Sequence, residues 1–94
     1  MFFTVNEIVD GDTFGVEPDW EWRQQKGERV RPTGYDTPEK GEPGYLAAKG
    51  KLERLILHKT VEIKEPKIID RGRLVSDVYL NGKNLADYFP EYGK

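Results

Sequence analysis

Apolar and polar residues alternate along much of the chain with the two-residue period of β-strands that bury one face. Residues 2–9 predict a first strand, and its apolar positions change phase near Asn6-Glu7, where we expect a bulge. A second strand begins at Asp12, and we expect Pro18-Asp19 to interrupt it. The chain therefore opens with a β-hairpin whose turn contains Asp10-Gly11.

The segment that follows carries two tryptophans, Trp20 and Trp22, which alternate with charged residues. In one interpretation they cover a rim of the β-structure, and in the other they form a platform on which nucleic-acid bases stack. The run Gln24-Gln25-Lys26-Gly27 has the composition of a hairpin tip. We therefore expect a third strand from Glu28.

We expect the third strand to break at residues 32–35. Pro32 removes a hydrogen-bond donor from the strand, and Gly34 permits a bulge or a sharp bend. On an uninterrupted strand, Arg31 and Asp36 would face opposite sides because an odd number of positions separates them. A break is therefore the condition for these two side chains to reach one site.

A helical pattern extends from Tyr45 to His58, after a loop at residues 40–44. Its apolar positions recur at helical spacing and form one stripe, made by Ala48, Leu52, Leu55 and Ile56. Gly50 costs about 1 kcal/mol relative to alanine inside a helix. We still expect the helix, because its stripe can pack on a sheet.

Two further strands follow the helix. Residues 60–64 alternate, and Leu74, Val78 and Leu80 form the inner face of a strand that ends at the tight-turn dipeptide Asn81-Gly82. Residues 84–88 predict a short helix capped by its asparagine. The fold class is thus α+β and mostly β. We expect one domain, residues 1–94, as a five-stranded OB-type Greek-key barrel with its main helix between strands three and four and a short C-terminal helix.

The composition of the chain limits the classes of function and of metal site that it can have. The chain has 94 residues and a net charge of −2, which argues against nucleic-acid binding through a broad basic face. It has no cysteine, so a metal must be held by oxygen atoms or by the lone His58, which favours calcium or magnesium over zinc. No apolar stretch approaches the length of a membrane span, and we expect a monomer without a membrane segment. Neither a secreted nor a cytoplasmic location is indicated.

Three short motifs concentrate arginines and carboxylates: Asp10-Gly11-Asp12-Thr13, residues 31–39, and Asp70-Arg71-Gly72-Arg73. Arginine offers a planar fork of donors for phosphate, and carboxylates bind hard divalent cations. Each motif alone is weak evidence. In this order and spacing, over residues 5 to 88, they resemble the staphylococcal nuclease family. The third motif is one residue shorter than the family's pattern, because a tyrosine before its glycine is missing.

From their chemistry, Asp12 and Asp36 are candidate ligands of a calcium ion, although each is also a residue type that stabilises turns or ends strands. The carbonyl oxygen of Thr37 can join such a site. The resemblance implies the same three ligands, with calcium as the cofactor and magnesium a less favoured one.

Three further residues are candidates for catalysis. Glu39 can accept a proton from an attacking water, although a glutamate after a proline is also common at helix starts. Arg31 and Arg73 match the family's phosphate-binding pair, and they can stabilise charge on the nonbridging oxygens of the transition state. The alternative for both is an ordinary solvated arginine.

Two hypotheses follow. The first is a calcium-dependent nuclease that hydrolyses single-stranded or frayed DNA and RNA with little sequence preference. The resemblance implies cleavage of the 5′ P–O bond, leaving 3′-phosphate ends. The second is a catalytically silent barrel that binds nucleic acid or a protein segment.

Overall fold

Six strands, one α-helix and two 3-10 turns make up the computed structural model, which describes residues 1–93. In chain order these are β1 (Phe2–Asp10), β2 (Thr13–Trp22), β3 (Gln25–Pro32), α1 (Tyr45–Ile56), β4 (Thr60–Asp70), β5 (Arg73–Leu80), β6 (Lys83–Asn84) and the 3-10 turns Leu85–Tyr88 and Pro90–Tyr92.

The first five strands close into a barrel. The hydrogen-bonded order is β3-β2-β1-β4-β5-β6, with antiparallel neighbours throughout. Parallel pairing of β3 with β5, from Arg29 opposite Arg73 to Pro32 opposite Ser76, joins the two sides of the sheet. The prediction of a mostly β, closed five-stranded barrel with one helix between strands three and four is confirmed.

The barrel interior and the helix form one apolar core. The buried side chains of the strands alternate with outward ones, as in β5, where every second residue is buried. The helix contributes Ala48, Leu52 and Ile56 to this core, so the predicted stripe is confirmed for these three residues. Leu55 is only partly buried, and the helix ends at Ile56, two residues earlier than predicted.

Strand β2 is continuous, so the predicted interruption at Pro18-Asp19 is wrong. Between Gly15 and Trp20 its pairing with β3 shifts register, and this leaves a position that tolerates a proline without an N–H donor. The hairpin turns at Arg23-Gln24, both at positive φ, so β3 begins at Gln25 rather than Glu28.

Two predicted irregularities are confirmed. Strand β1 changes register between Val5 and Glu7, which is the expected bulge. Strand β3 ends at Pro32, and the chain bends at residues 33–34, with Gly34 at a φ of 94°. A side chain at Gly34 would also come within 2.8 Å of the Ala86 Cβ, so both conformation and space require glycine here.

The predicted short C-terminal helix is not confirmed. Residues Leu85–Tyr88 form a single 3-10 turn, whose start is capped as expected because the Asn84 side chain accepts a hydrogen bond from the Ala86 amide. A second 3-10 turn begins at Pro90, which cannot continue the first because it has no N–H. None of the helices within residues 1–93 is long and apolar enough to cross a membrane.

Candidate active site

Asp12 lies in the tight turn between β1 and β2. Its amide donates to the Asp10 Oδ1 at 3.1 Å, so the first carboxylate of the motif fixes the turn. Gly11 lies against the segment after β3, because a Cβ there would be 2.6 Å from the Thr37 Oγ1 and 2.8 Å from the Ala48 Cβ. Only glycine therefore lets this turn approach Thr37 so closely.

Asp36 is placed by the residue before it and by the end of the chain. The buried Tyr35 donates its hydroxyl to the Gly11 carbonyl at 3.0 Å, and its ring stacks on Phe89 at 4.4 Å between centroids. The Asp36 amide donates to the Tyr92 carbonyl at 3.0 Å. These contacts hold Asp36 beside the turn that carries Asp12.

Arg31 joins the two carboxylates. Its Nη2 hydrogen bonds to the Asp36 Oδ1 and lies 3.4 Å from the Asp12 Oδ2. The bend after Pro32 makes this possible, as expected, because it turns Asp36 back toward the side of the strand that carries Arg31. The structure thus brings together three of the candidate residues at one guanidinium nitrogen.

The Asp12 carboxylate is nearly buried, and this burial raises its pKa. Burial, followed by its hydrogen bond with Asp10, raises the pKa of Asp12 to about 6. The Thr37 amide, which donates to the Asp12 Oδ2 at 3.2 Å, and the charge of Arg31 both act in the opposite direction. A cation beside Asp12 would, like the Thr37 amide and Arg31, lower the pKa of Asp12 and favour its charged form.

The donors at this site fit a hard cation. The side-chain oxygens available to a cation are the carboxylates of Asp12 and Asp36, and the Thr37 Oγ1 is a buried oxygen without a hydrogen-bond partner in the described part of the chain. Among residues 1–93, no group of three or more His, Cys, Asp or Glu side chains forms a metal cluster. His58, the other metal-ligand candidate in the sequence, is exposed beyond the end of α1 and is not one of these oxygen donors.

Arg73 is held next to the same site from another strand. The Asp70-Arg71-Gly72-Arg73 motif is a tight hairpin in which Asp70 pairs with Arg73. The Arg73 guanidinium donates to the Asp70 carboxylate at 2.8 Å and, at 3.3 Å, to the hydroxyl of Thr13, the neighbour of Asp12. The shortened motif therefore still directs this arginine toward the Asp12 turn.

Glu39 is not a partner in the ion pairs that Arg31 and Arg73 form in the described residues. It lies in the exposed loop before α1, where its amide donates to the Glu42 Oε1 at 2.6 Å. Within residues 1–93 its carboxylate forms no ion pair with Arg31 or Arg73. A surface groove of about 540 Å³ lies beside this loop, lined by Lys40, Gly41, Glu42, Gly44, Tyr45, Leu46 and Ala47.

The two tryptophans differ in burial. Trp20 is 2% exposed, and its Nε1 donates to the Arg29 carbonyl at 2.7 Å, so it has no ring face available for a base. Trp22 is partly buried, and the Arg23 guanidinium lies 4.5 Å from the centre of its ring. Trp20 therefore belongs to the core of the barrel.

Sequence reasoning did not identify Tyr35 and Thr13 as supporting residues. Tyr35 fixes the position of Asp36, and Thr13 accepts a hydrogen bond from Arg73. Thr13 stood inside a recognised motif, so its proximity to the site was a usable signal. Tyr35 also stood inside a recognised motif, residues 31–39, but its role was not visible there because its partners Gly11 and Phe89 are distant in the chain. No known family model matches this chain, and no curated protein matches its sequence.

Proposed function

We propose that this protein is a calcium-dependent nuclease that hydrolyses phosphodiester bonds of single-stranded or frayed DNA and RNA with low sequence specificity. The observation that carries the proposal is the convergence of Asp12 and Asp36 on Arg31, with Arg73 held beside Asp12 through Thr13. Carboxylates for a cation next to two arginines for a phosphate is the combination that phosphodiester hydrolysis needs.

The topology supports the finer assignment of the fold. The helix connects β3 and β4, and the parallel pairing of β3 with β5 closes the barrel. Both features agree with an OB-type Greek-key barrel. We propose that fold, of the kind found in the staphylococcal nuclease family that the motifs resemble, acting as a monomer on nucleic acid.

The cation would be held by Asp12, Asp36 and the carbonyl oxygen of Thr37. When bound, calcium supplies positive charge that lowers the pKa of a water and offsets the charge of the phosphate. The carboxylates are attached to elements that Tyr35 joins, so their spacing is set before a ligand arrives. Because these segments are already joined, little backbone rearrangement is needed to bring the two carboxylates to one ion.

Arg31 and Arg73 would donate to the nonbridging phosphate oxygens, whose negative charge grows as water attacks phosphorus. Arg73 is already fixed by Asp70 and Thr13, and its side chain is 18% exposed, so its donors are partly shielded from water. A donor in such a shielded position stabilises developing charge more than one in bulk water.

Glu39 would accept the proton of the attacking water. Its carboxylate is exposed and is not paired with either arginine in residues 1–93, so it is available as a proton acceptor. It lies only three positions after Asp36, at the start of the loop beside the groove.

Cleavage of denatured DNA tests the proposal. We expect cleavage with calcium, none with a chelator, and a large loss for Glu39→Gln. Glu53→Gln, an exposed glutamate on α1, is the matched control and is expected to keep full activity. A folded, calcium-loaded protein that leaves DNA intact would contradict the nuclease proposal.

The second candidate function is a silent module that binds nucleic acid or a protein segment. The observation that favours it is that both arginines already have carboxylate partners, Arg31 with Asp36 and Arg73 with Asp70, while Glu39 is not assembled with them. This function predicts binding of single-stranded DNA without cleavage in calcium. A gel that reports both shifted and shortened DNA separates the two functions.

A further inference from the structure

Arg31 occupies the place between the two carboxylates that would ligate the cation. The Arg31 Nη2 hydrogen bonds to the Asp36 Oδ1 and is 3.4 Å from the Asp12 Oδ2. Both oxygens belong to the set assigned to calcium. One positive charge therefore already offsets part of the negative charge of the pair, and it would repel a divalent cation at the same oxygens unless Arg31 moved away.

We propose that Arg31 is an internal counter-ion that the divalent cation must displace, and that its displacement makes the guanidinium available to the phosphate. This inference rests on the proposed function, because it assigns an order of events to the same site. Cation binding then prepares the phosphate site, whereas in the absence of cation Arg31 stays with Asp12 and Asp36.

The surroundings of Arg31 allow this exchange. Its backbone is fixed in β3 by pairing with Val75, whereas its side chain is 24% exposed and reaches the surface. The Asp36 side chain is 49% exposed, so water and ions can reach the bond between them. An arginine stem with several rotatable bonds can move its head group while the strand stays in place.

Arg73 provides the contrast within the same site. Its carboxylate partner is Asp70, which is not one of the proposed cation ligands. A cation at Asp12 and Asp36 takes no partner away from Arg73, so this arginine keeps one position with or without calcium. The two arginines thus differ in their response to the cation. Arg73 is positioned for the phosphate with or without calcium, and Arg31 becomes available to the phosphate only when the cation binds.

Calcium titration by calorimetry tests the inference on two variants that remove the same charge. Arg31→Met keeps the length of the side chain and removes the competitor, so we expect calcium to bind at least about fivefold more tightly, a typical size for coupling between groups. Arg29→Met is the control. Arg29 lies two residues before Arg31 in β3, and its guanidinium pairs with Glu7 instead. We expect it to change calcium affinity less than about twofold.

A second readout separates displacement from a general effect of charge. In the wild-type protein, the NMR signals of the Arg31 guanidinium are expected to change when calcium saturates the site, while those of Arg73 stay in place. Equal calcium affinity in wild type and Arg31→Met, or Arg31 signals that calcium leaves unchanged, would overturn the inference and leave the proposed function standing. No calcium binding by any of the proteins would overturn both.

Discussion

The Tyr35 hydroxyl donates a hydrogen bond to the Gly11 carbonyl oxygen across 3.0 Å, and this bond joins the two segments that carry Asp12 and Asp36. The same ring stacks on Phe89 with an angle of 8° between the planes. A buried aromatic residue therefore connects the candidate site to the C-terminal part of the chain, in addition to the bond from the Asp36 amide to the Tyr92 carbonyl.

Tyr35→Phe removes this hydrogen bond and keeps the ring. We expect a loss of about 1–3 kcal/mol in the free energy of unfolding near neutral pH, because the buried Gly11 carbonyl loses its partner. Urea denaturation measures it. Tyr79→Phe, on β5, is the control, and a Tyr35→Phe variant as stable as wild type would show that the bond contributes nothing.

The burial of Tyr35 also predicts that the stability of the fold depends on pH in the alkaline range. Burial, followed by the nearby charges of Asp12 and Asp10, raises the pKa of Tyr35 above its ordinary value. A raised pKa gives stability that is complete below the pKa of the unfolded chain, about 10, and is lost as the pH rises beyond it. We therefore expect the stability difference between wild type and Tyr35→Phe to shrink above about pH 10. A difference that is constant with pH would contradict the assignment.

Arg73→Ala is expected to reduce turnover far more than folding stability. Removing one preorganised donor from a transition-state site typically costs about 100- to 1,000-fold in kcat. Arg71→Ala, at the exposed tip of the same hairpin, is expected to stay within about twofold of wild type, as is usual for solvated arginines. Steady-state cleavage of denatured DNA, alongside thermal unfolding, measures both quantities. Full turnover in Arg73→Ala would remove this residue from the mechanism.

Two leucines of α1 are expected to differ in their contribution to stability. Leu52 is 0% exposed, so Leu52→Ala should cost about 2–5 kcal/mol through lost burial and a residual cavity. Leu55 lies on the same predicted stripe but is only partly buried, so Leu55→Ala should cost less. Urea denaturation of the pair is the measurement, and equal losses would contradict the observed difference in burial between the two side chains.

Two glycine substitutions are expected to have opposite effects. Gly11→Ala places a methyl group 2.6 Å from the Thr37 Oγ1, so it should destabilise the fold by about 1–3 kcal/mol and weaken calcium binding. Gly50→Ala lies within α1, near only the flexible end of Arg54, and should stabilise the fold by about 0.5–1 kcal/mol. Thermal unfolding of both variants, with calcium titration of the first, provides the comparison.

The local pattern of the sequence predicted which helix and strands form better than it predicted where they begin and end. The stripe of α1 and the bulge in β1 depend on neighbouring residues, and both were confirmed at Leu52 and near Val5. The interruption at Pro18 was wrong because the effect of a proline depends on whether the facing strand needs its N–H, and the sequence does not show which strand faces it.

The site shows the same division between local and distant causes. The break after Pro32 was predictable from the composition of that segment, and it is what brings Asp36 to Arg31. The exposed position of Glu39 was not, because it depends on how the loop before α1 folds. Nor were the contacts of Tyr35, which involve residues at both ends of the chain.

The parallel pairing of β3 with β5 has a consequence for how fast the site forms. It brings together segments that are far apart in the chain, and contacts of this kind form late because a long loop must close first. Arg31 and Arg73 lie on opposite sides of that closure, so the transition state for folding lacks the complete pair of proposed phosphate donors. We expect inorganic phosphate to slow unfolding and to leave the folding rate unchanged, as stopped-flow kinetics with and without phosphate will show.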